Sequence, residues 1–248
     1  KVLGLIPARI GSVRLPTKAL LPINGMPLVI HTYKRAKLSK LLDEVLICTD
    51  SKKINSAAKK FKSKSILTSV HHVNGTERIA EVAKKFRASL IVDIQGDEPL
   101  IDVGLLQKFA QFCITNEFLA MASVMVPVDC WQDINDPNVV KVTVNKAGQA
   151  TAFSRSPIPY CRDVPLADWP THLYNRHIGI YAYKARVLTE LSASTPCALE
   201  MLEKLEQLRA LWFGHSISMF NWLGPIHAGV DCLDDVYRVR KILNNNVK

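Results

Sequence analysis

Apolar residues in this chain cluster in short unbroken runs, with helical spacings between them. Val2, Leu3, Leu5 and Ile6 form the first run and read as a strand buried on both faces. Val45 to Cys48, Ile66-Leu67 and Leu90 to Ile94 repeat that signature. Between them, Leu28, Ile30, His31, Tyr33 and Ala36 recur at helical intervals, as do Ile79, Val82, Ala83 and Phe86, and residues 52–61 form a further helix. Strand, helix, strand, helix, strand is the rhythm of a parallel doubly wound sheet. Turn chemistry supports it. Pro7, with no N–H to donate, is expected to end the first strand. Asn24-Gly25 signals a tight turn, Pro27 suits the first turn of a helix, and Asp50 suits the N-cap of the next one.

Beyond a helix at 104–118 the rhythm changes. Met121 to Val128 is β-like, Val139 to Val144 alternates, Lys146-Ala147-Gly148 is a turn, and Ala152 to Arg155 opens another extended stretch. Pro157, Pro159, Pro165 and Pro170 mark a long irregular excursion before a strand at His177 to Tyr181. Residues 199–213 read as the clearest helix. Leu199, Leu202, Leu205, Leu208 and Trp212 form its stripe, and Glu200 can pair with Lys204. A strand near Ile217, a loop from Gly224 to Cys232 and a last helix complete the chain. The expectation is one α/β domain over 1–248, a mainly parallel doubly wound sheet with an antiparallel extension at about 120–185.

Composition changes this picture little. At 248 residues, 48% hydrophobic and 22% charged, the chain is an ordinary globular protein. No apolar run reaches the length of a membrane span and no signal-peptide pattern opens the sequence. Six scattered cysteines without a C-x-x-C pair argue against a zinc site and a secreted disulfide framework, so a cytoplasmic location is expected. The net charge of +10 is uneven: residues 34–87 hold 14 Lys or Arg against 5 Asp or Glu, whereas residues 93–136 hold 1 basic residue against 8 acids. Without interleaved aromatics or a nucleic-acid motif, the lysines read as solvated helix faces rather than a nucleic-acid or membrane surface.

The chemistry gathers where strands end. Arg9, Arg14 and Lys18 follow the first strand with no carboxylate among them. Ligands of open α/β sheets bind at such strand ends, so the loop suits a polyanion, although a solvated basic loop would look the same. Its spacing fits neither G-x-G-x-x-G nor a Walker A loop. Asn74-Gly75-Thr76 precedes a helix start, where Gly75 permits close backbone approach and Thr76 is an expected N-cap. Gln95-Gly96-Asp97-Glu98-Pro99 follows the second most apolar strand, which makes Asp97 either a turn cap or a metal ligand.

With these residues in view the sequence resembles a known family. P-A-R-x-x-S-x-R-L-P-x-K at Pro7 to Lys18 is similar to the signature of sugar-activating nucleotidyltransferases. Further matches lie at Asn74 to Arg78, Gln95 to Pro99, His177 to Tyr181, Leu205 to Arg209 and Gly229 to Asp231. Together they resemble the cytidylyltransferases that activate 2-keto-3-deoxy sugar acids, the 3-deoxy-manno-octulosonate (Kdo) family above all. The resemblance implies a nucleotide-binding sheet with a lid and dimerisation extension. It also implies transfer of CMP from CTP to Kdo with release of pyrophosphate, Mg²⁺ as cofactor, a homodimer and a role in lipopolysaccharide synthesis.

Carried over residue by residue, Pro7, Ala8, Arg9, Arg14, Lys18, Asn74, Gly75 and Thr76 would bind nucleotide, with Lys18, Arg9, Arg14, Asp97 and Asp231 catalytic. Asp97 and Asp231 would hold the metal. Arg78, Gln95, Arg155, His177, Tyr181, Glu206 and Gln207 would grip the sugar acid. Read without the resemblance, Glu206 is a helix ion-pair partner of Arg209 and His177 an ordinary packed histidine. Thr17, Ala19, Ile10, Asn74 and Cys232 depart from the family pattern, where Gly, Pro, Tyr, Ser and Thr are usual. Thr17 in particular implies that the loop need not take a glycine-only conformation there. A cytidylyltransferase for a related sugar acid (8-amino-Kdo or a nonulosonate) and a non-catalytic nucleotide-binding module are the alternative readings.

Overall fold

The computed structural model describes residues 1–11, 15–116 and 118–245. They divide into two compact units, 1–111 with 225–248 and 112–224.

In the first unit, β1 (Val2–Ala8) is flanked by β2 (Pro22–Ile23) and β3 (Met26–Pro27), a small hairpin, and by α1 (Leu28–Ala36) in sequence. β4 (Glu44–Thr49), α2 (Lys52–Lys60), β5 (Ser65–Leu67), α3 (Gly75–Phe86) and β6 (Leu90–Asp93) follow. β1 pairs in parallel with β4 and β6, and β4 with β5, so this sheet runs β6-β1-β4-β5 with every neighbour parallel. Leu3, Leu5 and Ile6 of β1 are fully buried, the burial that an unbroken apolar run implies. The unit boundary falls within α4 (Val103–Thr115).

The second unit contains β7 (Met121–Pro127), α5 (Trp131–Asn135), β8 (Lys141–Val144), β9 (Ala150–Ser154) and β10 (Asn175–Lys184). After them come α6 (Ala185–Ala193), α7 (Ala198–Glu203), α8 (Gln207–Trp212) and β11 (Ile217–Asn221). β10 is antiparallel to β7 and to β8, and β8 to β9, while β11 joins β7 in parallel. The proline-rich excursion forms no strand and closes over Val128, Ile134, Trp169 and Tyr174. The chain returns to the first unit with α9 (Leu233–Asn245), which packs Val236 and Val239 on Leu15, Ile23, Leu28 and Leu100. The whole is α/β, with a mostly parallel central sheet.

Several local expectations are corrected. Pro7 does not end β1, which continues in register with β4 as Pro7↔Cys48 and Ala8↔Thr49. Pairing with β6 stops at Leu5↔Asp93 and the Pro7 carbonyl faces Gly96, so the missing N–H costs no ladder bond on the β6 side. Ser51, not Asp50, caps α2 by accepting from the Ile54 amide, and Asn74, not Thr76, caps α3 by accepting from the Glu77 amide at 2.8 Å.

The long helix at 199–213 is two short ones, broken at Lys204 with φ 54°. Successive steps of three residues rotate about 60° around a helix, so Leu199 and Leu208 could not share one face of a straight rod. The break leaves Leu202 80% exposed and buries Leu205 and Leu208. Glu200 pairs with Arg209 rather than Lys204. Thr17, finally, stands at φ 56°, the left-handed conformation that a β-branched residue adopts only under strain.

Candidate functional site

The ends of β1 and β6 are drawn together by missing side chains. A Cβ at Gly96 would lie 2.9 Å from the Pro7 carbonyl oxygen, closer than real Cβ atoms come, and one at Gly75 would meet the Pro7 ring at 3.3 Å. Glycine at these positions lets Pro7-Ala8, the Asn74 cap and the Gln95–Pro99 turn share one corner. The loop before α9 lies against the same turn, since the Val230 amide donates to the Asp97 carbonyl at 2.9 Å. At Gly229 a Cβ would stand 3.1 Å from Glu98 Oε1.

Lys18 opens a short 3-10 turn and its ammonium bridges this corner. Nζ lies 2.5 Å from Asp97 Oδ2, 3.0 Å from Asp231 Oδ1 and 3.0 Å from the Val230 carbonyl. Burial would push the Lys18 pKa down, but Asp97 and then Asp231 outweigh it and hold it above the ordinary lysine value. Two carboxylates already converge on one cation, which is the protein share a small divalent ion asks for, phosphates and water supplying the rest. Among the described residues no group of three or more His, Cys, Asp and Glu gathers as a metal site, here or elsewhere, so the protein's share at this corner is the two carboxylates. Transfer from a nucleoside triphosphate goes with a divalent cation in general, and this pair fits one.

The other residues fall into distinct settings. Arg9 is exposed just past β1, and Arg14 lies outside the described residues. Arg78 is buried, its guanidinium donating to Asp50 Oδ2 at 2.9 Å, Thr68 Oγ1 at 2.6 Å and the Ser69 carbonyl. In this state it braces the loop after β5 rather than facing solvent. Gln95 is half-buried and turns its amide toward Asp93 at 3.4 Å.

Within the second unit, His177 and Tyr181 stack obliquely with ring centres 5.4 Å apart, and Tyr181 donates to Gln207 Oε1 at 3.1 Å. Among the described residues the buried Gln207 amide nitrogen has no hydrogen-bond partner, an unspent donor beside that tyrosine. His177 Nε2 meets Ser123 Oγ at 2.8 Å, and burial drives its pKa down to about 3, so the ring is neutral. Arg155 spends Nε on the Glu203 carbonyl and Nη1 on the Pro137 carbonyl, which aims the guanidinium without neutralising it. Glu206 is exposed at the start of α8.

Two features escape sequence reasoning. Lys141 is fully buried and its ammonium is held by the carbonyls of Asp136, Val139 and Arg155. Its place in an alternating strand gives no hint of this. Asp235, four residues past Asp231, accepts from the Asp231 amide. An acid at the start of a helix was the available signal.

Comparison with known proteins gives the family and the fold. The family model described as cytidylyltransferase matches residues 3–217. The chain is 43% identical over 244 residues to 3-deoxy-manno-octulosonate cytidylyltransferase 2 of Paraburkholderia phytofirmans, covering 96% of this chain and 92% of that one. It is 44% identical to the 3-deoxy-manno-octulosonate cytidylyltransferase of Polynucleobacter necessarius, covering 97% and 95%. Among solved structures, a CMP:2-keto-3-deoxy-manno-octonic acid synthetase complexed with CTP superposes with a TM-score of 0.92 at 36% identity, over 99% of both chains. A cytidylyltransferase from Leptospira borgpetersenii, at 18% identity and TM-score 0.66, shares the fold.

Proposed function

The chain belongs to the cytidylyltransferase family and is a nucleotidyltransferase, and from that premise we propose that it joins CTP to Kdo, giving CMP-Kdo and pyrophosphate. The observation that carries this reading is the Lys18 ammonium held between Asp97 and Asp231 at the strand ends. The anomeric hydroxyl of the sugar attacks the α-phosphorus and gives up its proton to solvent, and the bond to the bridging oxygen of the departing pyrophosphate breaks in line. Arg9, Arg14 and Lys18 offset the charge of the triphosphate and of the departing pyrophosphate. Lys18 exchanges its carboxylate partners for phosphate oxygens when nucleotide arrives, leaving Asp97 and Asp231 for a divalent ion, Mg²⁺ in this reading. That ion supplies charge neutralisation at phosphate and a lower pKa for the attacking hydroxyl.

For the sugar acid, Arg155 offers a cation oriented by two carbonyls and suited to a carboxylate. Tyr181, Gln207 and neutral His177 offer hydroxyl-binding groups, with Glu206 exposed beside them in sequence. Arg78 and Gln95 complete the proposed sugar set, Arg78 conditional on release from Asp50. A homodimer in the cytoplasm, feeding lipopolysaccharide synthesis, is part of the same reading. Tyr160 and Leu173, 77% and 61% exposed, are apolar surface available to a second copy.

The test is pyrophosphate release from CTP and Mg²⁺ across Kdo, its 8-amino analogue and a nonulosonate, with ATP and GTP as controls. Kdo with CTP is expected to give the highest kcat/KM. A tenfold preference for the amino sugar would move the specificity, and equal turnover with a purine triphosphate would sink the assignment of the base.

A further inference from the structure

Asp231 reaches the site from a loop, not from a strand or helix, so something must hold it there. Asp235 and Arg238, both on the first turns of α9, do so from behind. Asp235 Oδ2 accepts from the Asp231 amide at 2.8 Å, the Cys232 amide at 3.0 Å and the Cys232 thiol at 3.3 Å. Its other oxygen, Oδ1, takes Arg238 Nη1 at 2.9 Å. Arg238 Nη2 then donates to the carbonyls of Ala228 at 3.0 Å and Gly229 at 3.1 Å. The pair thus grips residues 228 and 229 on one side and 231 and 232 on the other. Val230, between them, donates its amide to the Asp97 carbonyl and accepts from the Lys18 ammonium at its own carbonyl.

A capping box would explain the bond to the Cys232 amide just before the helix. It would explain neither the bond to Asp231 nor the arginine that runs back to 228 and 229. We propose that Asp235 and Arg238 form a clamp that positions the Asp231 carboxylate for the divalent ion, a role for positioning residues rather than catalytic ones. Groups behind a metal ligand fix its orientation, and their loss costs metal affinity before it costs chemistry.

This rests on the reading of Asp231 as a metal ligand, and the experiment separates the two. Binding of CTP in the presence of Mn²⁺ is titrated by calorimetry for the whole chain carrying D231N, D235A, D235N or R238A. Exchange of the 231 and 232 amide hydrogens is followed alongside, and kcat is measured at saturating Mn²⁺. D235A and R238A are expected to raise the Mn²⁺ concentration for half-saturation about tenfold, with kcat at saturation within about threefold of wild type. Amide exchange at 231 and 232 should accelerate in D235A. D235N, which keeps an acceptor for both amides, should recover part of that loss.

Wild-type Mn²⁺ dependence in D235A and R238A, with D231N impaired, overturns the clamp and leaves the metal reading intact. Wild-type Mn²⁺ dependence in D231N overturns the metal reading, and the clamp with it. Should D235A fail to fold, R238A carries the test, because among the described residues the Arg238 side chain bonds to the loop and to Asp235.

Discussion

Two charge clusters, one in each unit, hold charge in opposite ways. In the first, Lys18, Asp97 and Asp231 have side chains 18%, 32% and 51% exposed, and one cation faces two acids at a partly open surface. In the second, Arg209 and Glu200 are 6% and 9% exposed and form a two-pronged pair, with Nε at 2.7 Å and Nη2 at 2.5 Å. The carbonyls of Leu191 and Ser194 take the remaining guanidinium nitrogen. A partly hydrated cluster can trade partners at a smaller cost, since its charges have only partly left water. A buried, fully hydrogen-bonded pair cannot, because each charge left alone would bear its whole desolvation penalty. Charges of the first kind suit ligand exchange; those of the second brace a fold.

Substitution at the buried pair should have the largest effect. Arg209→Ala is expected to cost about 3–5 kcal/mol in denaturant unfolding, by stranding Glu200. A cost near zero would erase the contrast between the two clusters. Asp97→Asn should do the reverse. We expect its unfolding free energy within about 0.5 kcal/mol of wild type and its kcat down roughly a thousandfold, about 4 kcal/mol in the barrier. Near-normal kcat at saturating Mg²⁺ would remove Asp97 from the site.

Acid should then separate the units more finely. The His177 pKa is depressed from 6.5 to about 3 by burial, so the folded state resists protonation that the unfolded chain accepts. Stability from this group is complete above pH 6.5 and falls as pH drops from 6.5 toward 3. The slope is at most about 1.4 kcal/mol per pH unit for one proton. Lys18, with its pKa raised above 10.5, loses its contribution only in strong alkali and is silent in that window. Wild type should therefore lose stability between pH 6.5 and 5, and His177→Gln should flatten the curve. An unchanged slope in the variant would assign the loss elsewhere.

The smallest effect concerns the strain at Thr17. Thr17→Gly removes a left-handed penalty of about 1–2 kcal/mol but frees the unfolded chain. The net gain should be no more than about 1 kcal/mol in unfolding free energy. A destabilised glycine variant would mean that the threonine side chain contributes more than its backbone costs.

Much of this site was legible because its parts are local. Asp97 beside Gly96 after an apolar strand needs only a few neighbouring residues to define its geometry, whereas the start of α3 was placed correctly but its cap was assigned to Thr76 instead of Asn74. Arg78 was not legible. Its setting is fixed by Asp50, 28 residues upstream, and a cation buried on a carboxylate looks in sequence like any other arginine. The stripe at 199–213 failed for a related reason. Apolar residues three apart fit a helix over one turn and spiral off its face over three, and the break at Lys204 follows from what Leu205 and Leu208 must bury.

By itself, the sequence determined the strand and helix rhythm, the acids and cations at strand ends, and the family signature. Each depends on side-chain chemistry and short-range backbone preference. Tertiary structure decided which charges meet. Lys18 and Asp231 lie 213 residues apart, and Lys141 is buried on three carbonyls although nothing in its strand requires it. Such pairings depend on how much water burial removes from each group, and that quantity exists only once the chain has folded.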